Sequence, residues 1–338
     1  MPRRVVLILT SSILLSALGI ALVIVLTGER ESLAHLGSLS SGALALCLTL
    51  LAAHYLSGGA RLAMLTELCN VPVSLWHGTR AFILGLFCAA VTPSGGGNAP
   101  AIALSLQRDG VTGSLALVVA LYTSILDLLF FAWSIPVAAL FLALSGDLPP
   151  LLFWLSLIFT PLCLFLWYAL SFELRRFKRA ALRLFTLPLL KRWQRTASRF
   201  LGQLDSTAQF IARQPLTQQL SLQLVTALLH GSLYAIFFVV ANDLGLEVTL
   251  AETLALILLV SVTSYAVPTP GSSGYLEVAL TYTFAGTAAG TTGATALVIP
   301  AVLAWRGLSF YLSVLIGALL GGGILVKKIA AHPKGDHA

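Results

Sequence analysis

Apolar positions in this chain come in long unbroken blocks, separated by short polar or Pro/Gly clusters. Residues 5–27, 41–60, 111–144, 151–170, 220–241 and 294–320 each approach or exceed the roughly 20 apolar residues that carry a helix across a bilayer. The pattern predicts six spanning helices. The first block is too long for a signal-peptide core of about 7–15 residues, so it counts as a span. Two further apolar stretches are interrupted. Residues 81–91 run into Thr92-Pro93-Ser94-Gly95-Gly96-Gly97-Asn98-Ala99-Pro100 and resume at 101–106. Residues 249–267 break at Pro268-Thr269-Pro270-Gly271-Ser272-Ser273-Gly274 and resume at 275–285. Each reads as a re-entrant hairpin of two half-helices, 81–107 and 249–286, a form that survives at membrane depth only when buried in protein or lining a wet cavity.

Composition agrees with a membrane solvent. Of the 338 residues 58% are hydrophobic and 10% charged, against about 45–50% and about 25% in soluble domains. A water-facing globule and a disordered chain are both excluded by these figures. The net charge of +7 would suit nucleic acid in a soluble protein, but its placement argues otherwise. With the N-terminus inside and both hairpins returning to the side they enter, eighteen of the 20 Lys and Arg residues fall on the inner side, as the positive-inside rule requires. The outer loops carry Glu29, Glu31, Asp147, Asp243 and Glu247. The expected location is thus a bacterial-type inner membrane, with both termini cytoplasmic.

The basic stretch 171–218, dense in Lys and Arg between Arg175 and Arg199 and interleaved with Leu, Phe and Trp, reads as an amphipathic connector on the anionic inner leaflet, not as a nucleic-acid site. The four cysteines, Cys47, Cys69, Cys88 and Cys163, form no C-x-x-C pair and read as packing residues, with neither metal nor disulfide implied. No cofactor is expected, and no G-x-x-x-x-G-K-[ST] phosphate loop occurs, so passive or ion-coupled movement is favoured over ATP-driven transport.

The two broken regions have matching surroundings. Asp127 follows Pro93 by 34 residues and Arg306 follows Pro270 by 36, each within a long apolar run. Because the hairpins enter from opposite sides, 41–144 and 219–325 read as inverted-topology repeats, and paired Pro/Gly interruptions in corresponding halves point to a transporter site near the midplane. The remaining segments are an N-terminal span and loop (5–40), a linking span (145–170), and a tail (326–338), all within one integral membrane domain.

The candidate substrate-binding residues are Thr92, Pro93, Ser94, Gly95, Gly96, Gly97, Asn98, Pro268, Thr269, Pro270, Gly271, Ser272, Ser273 and Gly274, with Asp127, Glu277 and Arg306. Half-helix N-termini aimed at the midplane would present unpaired N–H groups and partial positive charge to a lipid phosphate. Arg306 adds a guanidinium fork that fits phosphate bidentately, or else pairs with Asp127. Glu277 would carry a proton, bind a cationic headgroup, or stabilise the first turn of its own helix. His54 and His230 lie within spans and read first as structural residues, with proton relay as the alternative.

The two loops, with Gln107-Arg108-Asp109-Gly110-Val111, Leu121-Tyr122, Leu126-Asp127, Glu277 and Trp305-Arg306, resemble the lysylphosphatidylglycerol synthase transmembrane-region family. This flippase-like family is named after the lipid-translocating part of the multiple peptide resistance factor. The resemblance covers nearly the whole chain and implies a lipid-handling membrane protein. It departs from that factor in two ways: no soluble aminoacyltransferase domain follows the membrane part within these residues, and the run after the first loop is the apolar Ala101-Ile102-Ala103-Leu104. Aminoacyl-lipid synthesis by that route is therefore not expected, and the headgroup preference stays open. The expectation is an all-α polytopic protein that translocates or binds a phospholipid or related anionic amphiphile and is not an enzyme. The competing expectations are an intramembrane transferase acting on lipid-linked substrates and a non-transporting accessory protein of envelope assembly.

Overall fold

The structure is a computed structural model. It describes residues 37–92, 95–146, 150–172, 202, 205–207, 209–265, 267, 269–287 and 294–330. The expected first span, most of the basic connector, the tail beyond residue 330, and Pro93, Ser94 and Pro268 lie outside the described residues.

The main elements of the described chain are helices: α1 (Ser41–Leu68), α2 (Leu75–Ala90), α3 (Asn98–Arg108), α4 (Gly113–Ser145), α5 (Pro150–Phe172), α6 (Leu216–Asp243), α7 (Leu250–Ser264), α8 (Tyr275–Thr287), α9 (Ala294–Arg306) and α10 (Leu312–Ala330). A five-residue π segment, Gly307–Tyr311, joins α9 to α10. Among the described residues, four stretches are long and apolar enough to cross a membrane: Ser41–Leu68, Gly113–Ser145, Leu216–Asp243 and Ala296–Gly321. Leu75–Ala90, Phe153–Ala169 and Leu250–Ser264 are shorter apolar helices.

One order of elements occurs twice: a long helix, a short helix, a break, a short helix and a long helical stretch. It is made first by α1 to α4 and again by α6 to α10. The opening helix of each set has 28 residues and ends in the same way. After α1, Asn70 takes a left-handed φ of 58° and Val71 N–H bonds back to Thr66 O. After α6, Gly245 has φ 91° and Leu246 N–H bonds to Ala241 O. Both are Schellman closures, which satisfy carbonyls that a helix end leaves open. Thr249 then starts α7 with a capping-box sequence, its side chain accepting from Glu252 N–H.

The expected second span, 41–60, is extended by the structure: α1 runs past Arg61 to Leu68. The residues after Arg61, Leu62-Ala63-Met64-Leu65, continue the apolar face, and Leu62 and Leu65 are fully buried. Arg61 is therefore a buried residue within a helix, not the basic residue that ends a span.

The described residues fall into two compact units. One is built from those of Met1–Ala53, Phe82–Ala101 and Ser232–Ala338, the other from those of His54–Ala81 and Ile102–Gly231. In the first, Phe237 of α6 stacks on Phe284 of α8 with centroids 4.4 Å apart, and Trp305 of α9 donates its indole N–H to Leu233 O at 3.0 Å. Gly317 and Gly321 of α10, four residues apart, face Phe87 and Leu84 of α2: a Cβ on either would come within 2.5–2.6 Å of those side chains. Such small-residue pairs let helices approach where no hydrophobic force drives them together. In the second unit, Gly59 of α1 meets Thr79 of α2, and a Cβ on Gly59 would lie 2.5 Å from Thr79 N and 2.7 Å from Thr79 Cα. There α4 and α5 also pack along each other.

Candidate functional site

The first break is tied to itself. Thr92 Oγ1 donates to Cys88 O at 2.7 Å and accepts Gly97 N–H at 2.8 Å, so one hydroxyl links the end of α2 to the start of α3. Gly97 has no room for a side chain, since a Cβ would stand 2.7 Å from Cys88 O and 2.9 Å from Thr92 Oγ1. Gly95 turns the chain at φ 68°, and Gly96 is exposed. Asn98 opens α3, with Oδ1 buried and without a hydrogen-bond partner.

The second break is held from outside as well. Gly271, Ser272 and Gly274 have positive φ values of 58°, 52° and 85°. Thr269 Oγ1 donates to Ser273 O at 3.2 Å, and Ser272 Oγ donates to Ser264 O at 3.0 Å. At the start of α8, Glu277 Oε2 accepts Gly274 N–H at 2.8 Å, the backbone half of a capping box. Its other oxygen, Oε1, accepts from Arg306 Nε at 2.8 Å. Arg306 Nη2 donates to Gly271 O at 3.2 Å and to Ser273 Oγ at 3.3 Å, and its Cζ lies 4.3 Å from the Phe310 ring centroid. Arg306 is 3% exposed and Glu277 and Ser273 each 1%. A carboxylate thus already sits at the helix start that was expected to await a phosphate.

A second charged cluster lies in the other unit. Asp127 of α4 accepts on Oδ1 from Arg61 Nη1 of α1 and, at 3.2 Å, from His230 Nε2 of α6. His54, seven residues before Arg61 and hence on the same face of α1, donates Nδ1–H to Leu229 O at 2.8 Å. The His230 ring stacks on Phe130 at 4.7 Å. In the same unit, Arg80 Nη2 of α2 donates to Asp109 Oδ1 at 2.8 Å.

The pair expected between Arg306 and Asp127 therefore gives way to two pairs, Arg306 with Glu277 and Asp127 with Arg61. Glu277 steadies its own first turn, one of the roles the sequence offered, and also pairs with Arg306, a partner the sequence did not name. His54 and His230 belong to a polar cluster and are not isolated. Arg61 escaped the sequence reading because a basic residue after twenty apolar ones resembles a span end; its spacing from His54 and the apolar run beyond it were the signal. Among the described residues no group of three or more His, Cys, Asp or Glu side chains is placed to hold a metal ion.

A family model described as the lysylphosphatidylglycerol synthase TM region matches residues 8–317. A protein described as a UPF0104 membrane protein, from Archaeoglobus fulgidus, is 25% identical over 277 residues, which cover 79% of this chain and 82% of that one. No solved structure matches the chain. The match to the family model takes in the helices on either side of both breaks and both buried charge pairs, and the chain belongs to the lysylphosphatidylglycerol synthase transmembrane-region family.

Proposed function

We propose that this protein takes up an anionic phospholipid or related amphiphile and moves it between leaflets, with no covalent change to the lipid. The observation that carries the reading is the burial of Arg306, Glu277 and Arg61, each 1–3% exposed, within a chain that is 58% hydrophobic and 10% charged. Ionisable groups in spanning helices are costly and mark substrate or ion pathways by default. The headgroup is received between the two Pro/Gly breaks, by residues Gly95 to Asn98 on one side and Thr269 to Gly274 on the other. Glu277 holds Arg306 against the second break, so that Arg306 shapes the loop and offers its Nη1 edge, which has no partner among the described residues. A substrate's own charge then replaces water as company for these groups while it crosses.

The test is leaflet exchange in proteoliposomes containing fluorescent phosphatidylglycerol and an impermeant quencher. The expected result is quenching that extends beyond the outer leaflet only when protein is present. Vesicles with protein that behave like empty ones would overturn the proposal. Mass spectrometry of the same lipids distinguishes the transferase alternative, since exchange predicts unchanged masses and a transferase predicts new ones.

A further inference from the structure

We propose that Arg61 is an anion-binding residue that takes the phosphate oxyanion of a phospholipid headgroup on the Nε–Nη2 edge of its guanidinium. The inference rests on the lipid reading above and adds to it a residue of the other unit. A guanidinium has a side edge, Nε–H with one Nη2–H, whose two parallel donors match two oxygens of a phosphate. In Arg306 that edge is consumed by the protein itself, Nε by Glu277 and Nη2 by Gly271 and Ser273. In Arg61 it is not. Only Nη1 is engaged, end-on, by Asp127; Nε is buried with no hydrogen-bond partner, and no other acceptor for the side chain is found among the described residues. An unmatched donor in the interior carries the full cost of its desolvation, and Arg61 is 3% exposed. The Asp127 side chain is 21% exposed and that of Arg61 4%. Asp127 keeps the guanidinium oriented while opposing a second negative charge, and His230, donating to the same Oδ1, offsets part of that opposition. His54, on the face of α1 that carries Arg61, has its Nδ1–H committed to Leu229 O.

The experiment is calorimetric titration of the purified full chain in neutral detergent with short-chain phosphatidylglycerol, with the matching diacylglycerol and inorganic phosphate as separate arms. Binding of phosphatidylglycerol and not of diacylglycerol is expected. Indifference to inorganic phosphate assigns the site to a lipid headgroup, and displacement by it assigns the site to free phosphate; both uphold an anion site. Arg61→Lys keeps the charge opposite Asp127 but loses the two-donor edge, and its affinity is expected to fall about tenfold or more. Undiminished affinity in a folded Arg61→Lys protein overturns the inference. Asp127→Asn leaves the guanidinium and removes the opposing charge, so it is expected to bind phosphatidylglycerol more tightly than wild type; equal or weaker binding overturns the inference even where Arg61→Lys does not fold. If wild type binds through Arg61 but exchanges no lipid, the transport reading falls and the anion site stands. If wild type exchanges lipid and both variants bind as it does, only the anion site falls.

Discussion

At the scale of single residues, the second break is an ion pair with a loop folded over it. Glu277 and Arg306 are buried together, and their mutual attraction offsets a desolvation cost of several kcal/mol per ion. Removing one partner strands the other, so Glu277→Gln and Arg306→Gln are each expected to cost about 3–5 kcal/mol. The double variant, which leaves two neutral amides, is expected to recover much of that loss. Thermal unfolding in detergent, analysed as a double-mutant cycle, checks this; additive losses would show that the two side chains act independently. Glu277, Arg306 and Asp127 were all legible in the sequence, because a charge inside an apolar run is conspicuous. Their partners were not. Glu277 and Arg306 are 29 residues apart, and Arg61 and Asp127 are 66 apart, separations at which no periodicity operates and only the packing of helices decides who meets whom.

At the scale of elements, the breaks fall where Pro and Gly put them, because a chain with Gly271 at φ 58° and a proline beside it cannot continue as a helix. The helix starts and stops were less legible. Leu75–Ala90 begins six residues before the expected hairpin, since Leu75, Trp76 and His77 are compatible with either a loop or a first turn. The π segment Gly307–Tyr311 has no composition of its own, and π segments inside longer helices are frequent at functional sites. Close helix contact, by contrast, leaves a glycine signature. Gly59→Val would drive a branched side chain into Thr79, and the expected loss is about 2–4 kcal/mol in unfolding free energy. Trimming Thr79 to Ala should not rescue it, because the obstruction includes Thr79 N and Cα. Restoration of the melting temperature by Thr79→Ala would show that α1 and α2 can move apart freely.

At the scale of the whole molecule, long apolar helices and family membership agree on a multi-pass membrane protein. Moving Arg61 from a loop into a helix lowers the inner tally of basic residues by one and keeps its sense. Orientation is checked along α6, whose ends carry the exposed residues Thr217 and, just beyond it, Glu247. In a background with the four cysteines replaced, an impermeant maleimide added to intact cells is expected to label Glu247→Cys, and to label Thr217→Cys only after permeabilisation. The opposite pattern would invert the topology, and labelling of both from outside would remove α6 from the list of spans. The number of spans was the least legible quantity, because a run of twenty apolar residues looks the same whether its helix is surrounded by lipid or by protein.

The anchoring of the two breaks differs, and the difference has a mechanical result. Gly271, Ser273 and Gly274 are fastened through Arg306 and Glu277 to the end of α9, so lifting that tip would drag α9 along or tear two opposite charges apart in an oily interior. The Thr92 hydroxyl, whose bonds reach no further than Cys88 and Gly97, imposes no such tether. Any rearrangement of the second break would therefore treat its tip and α9 as a single lever.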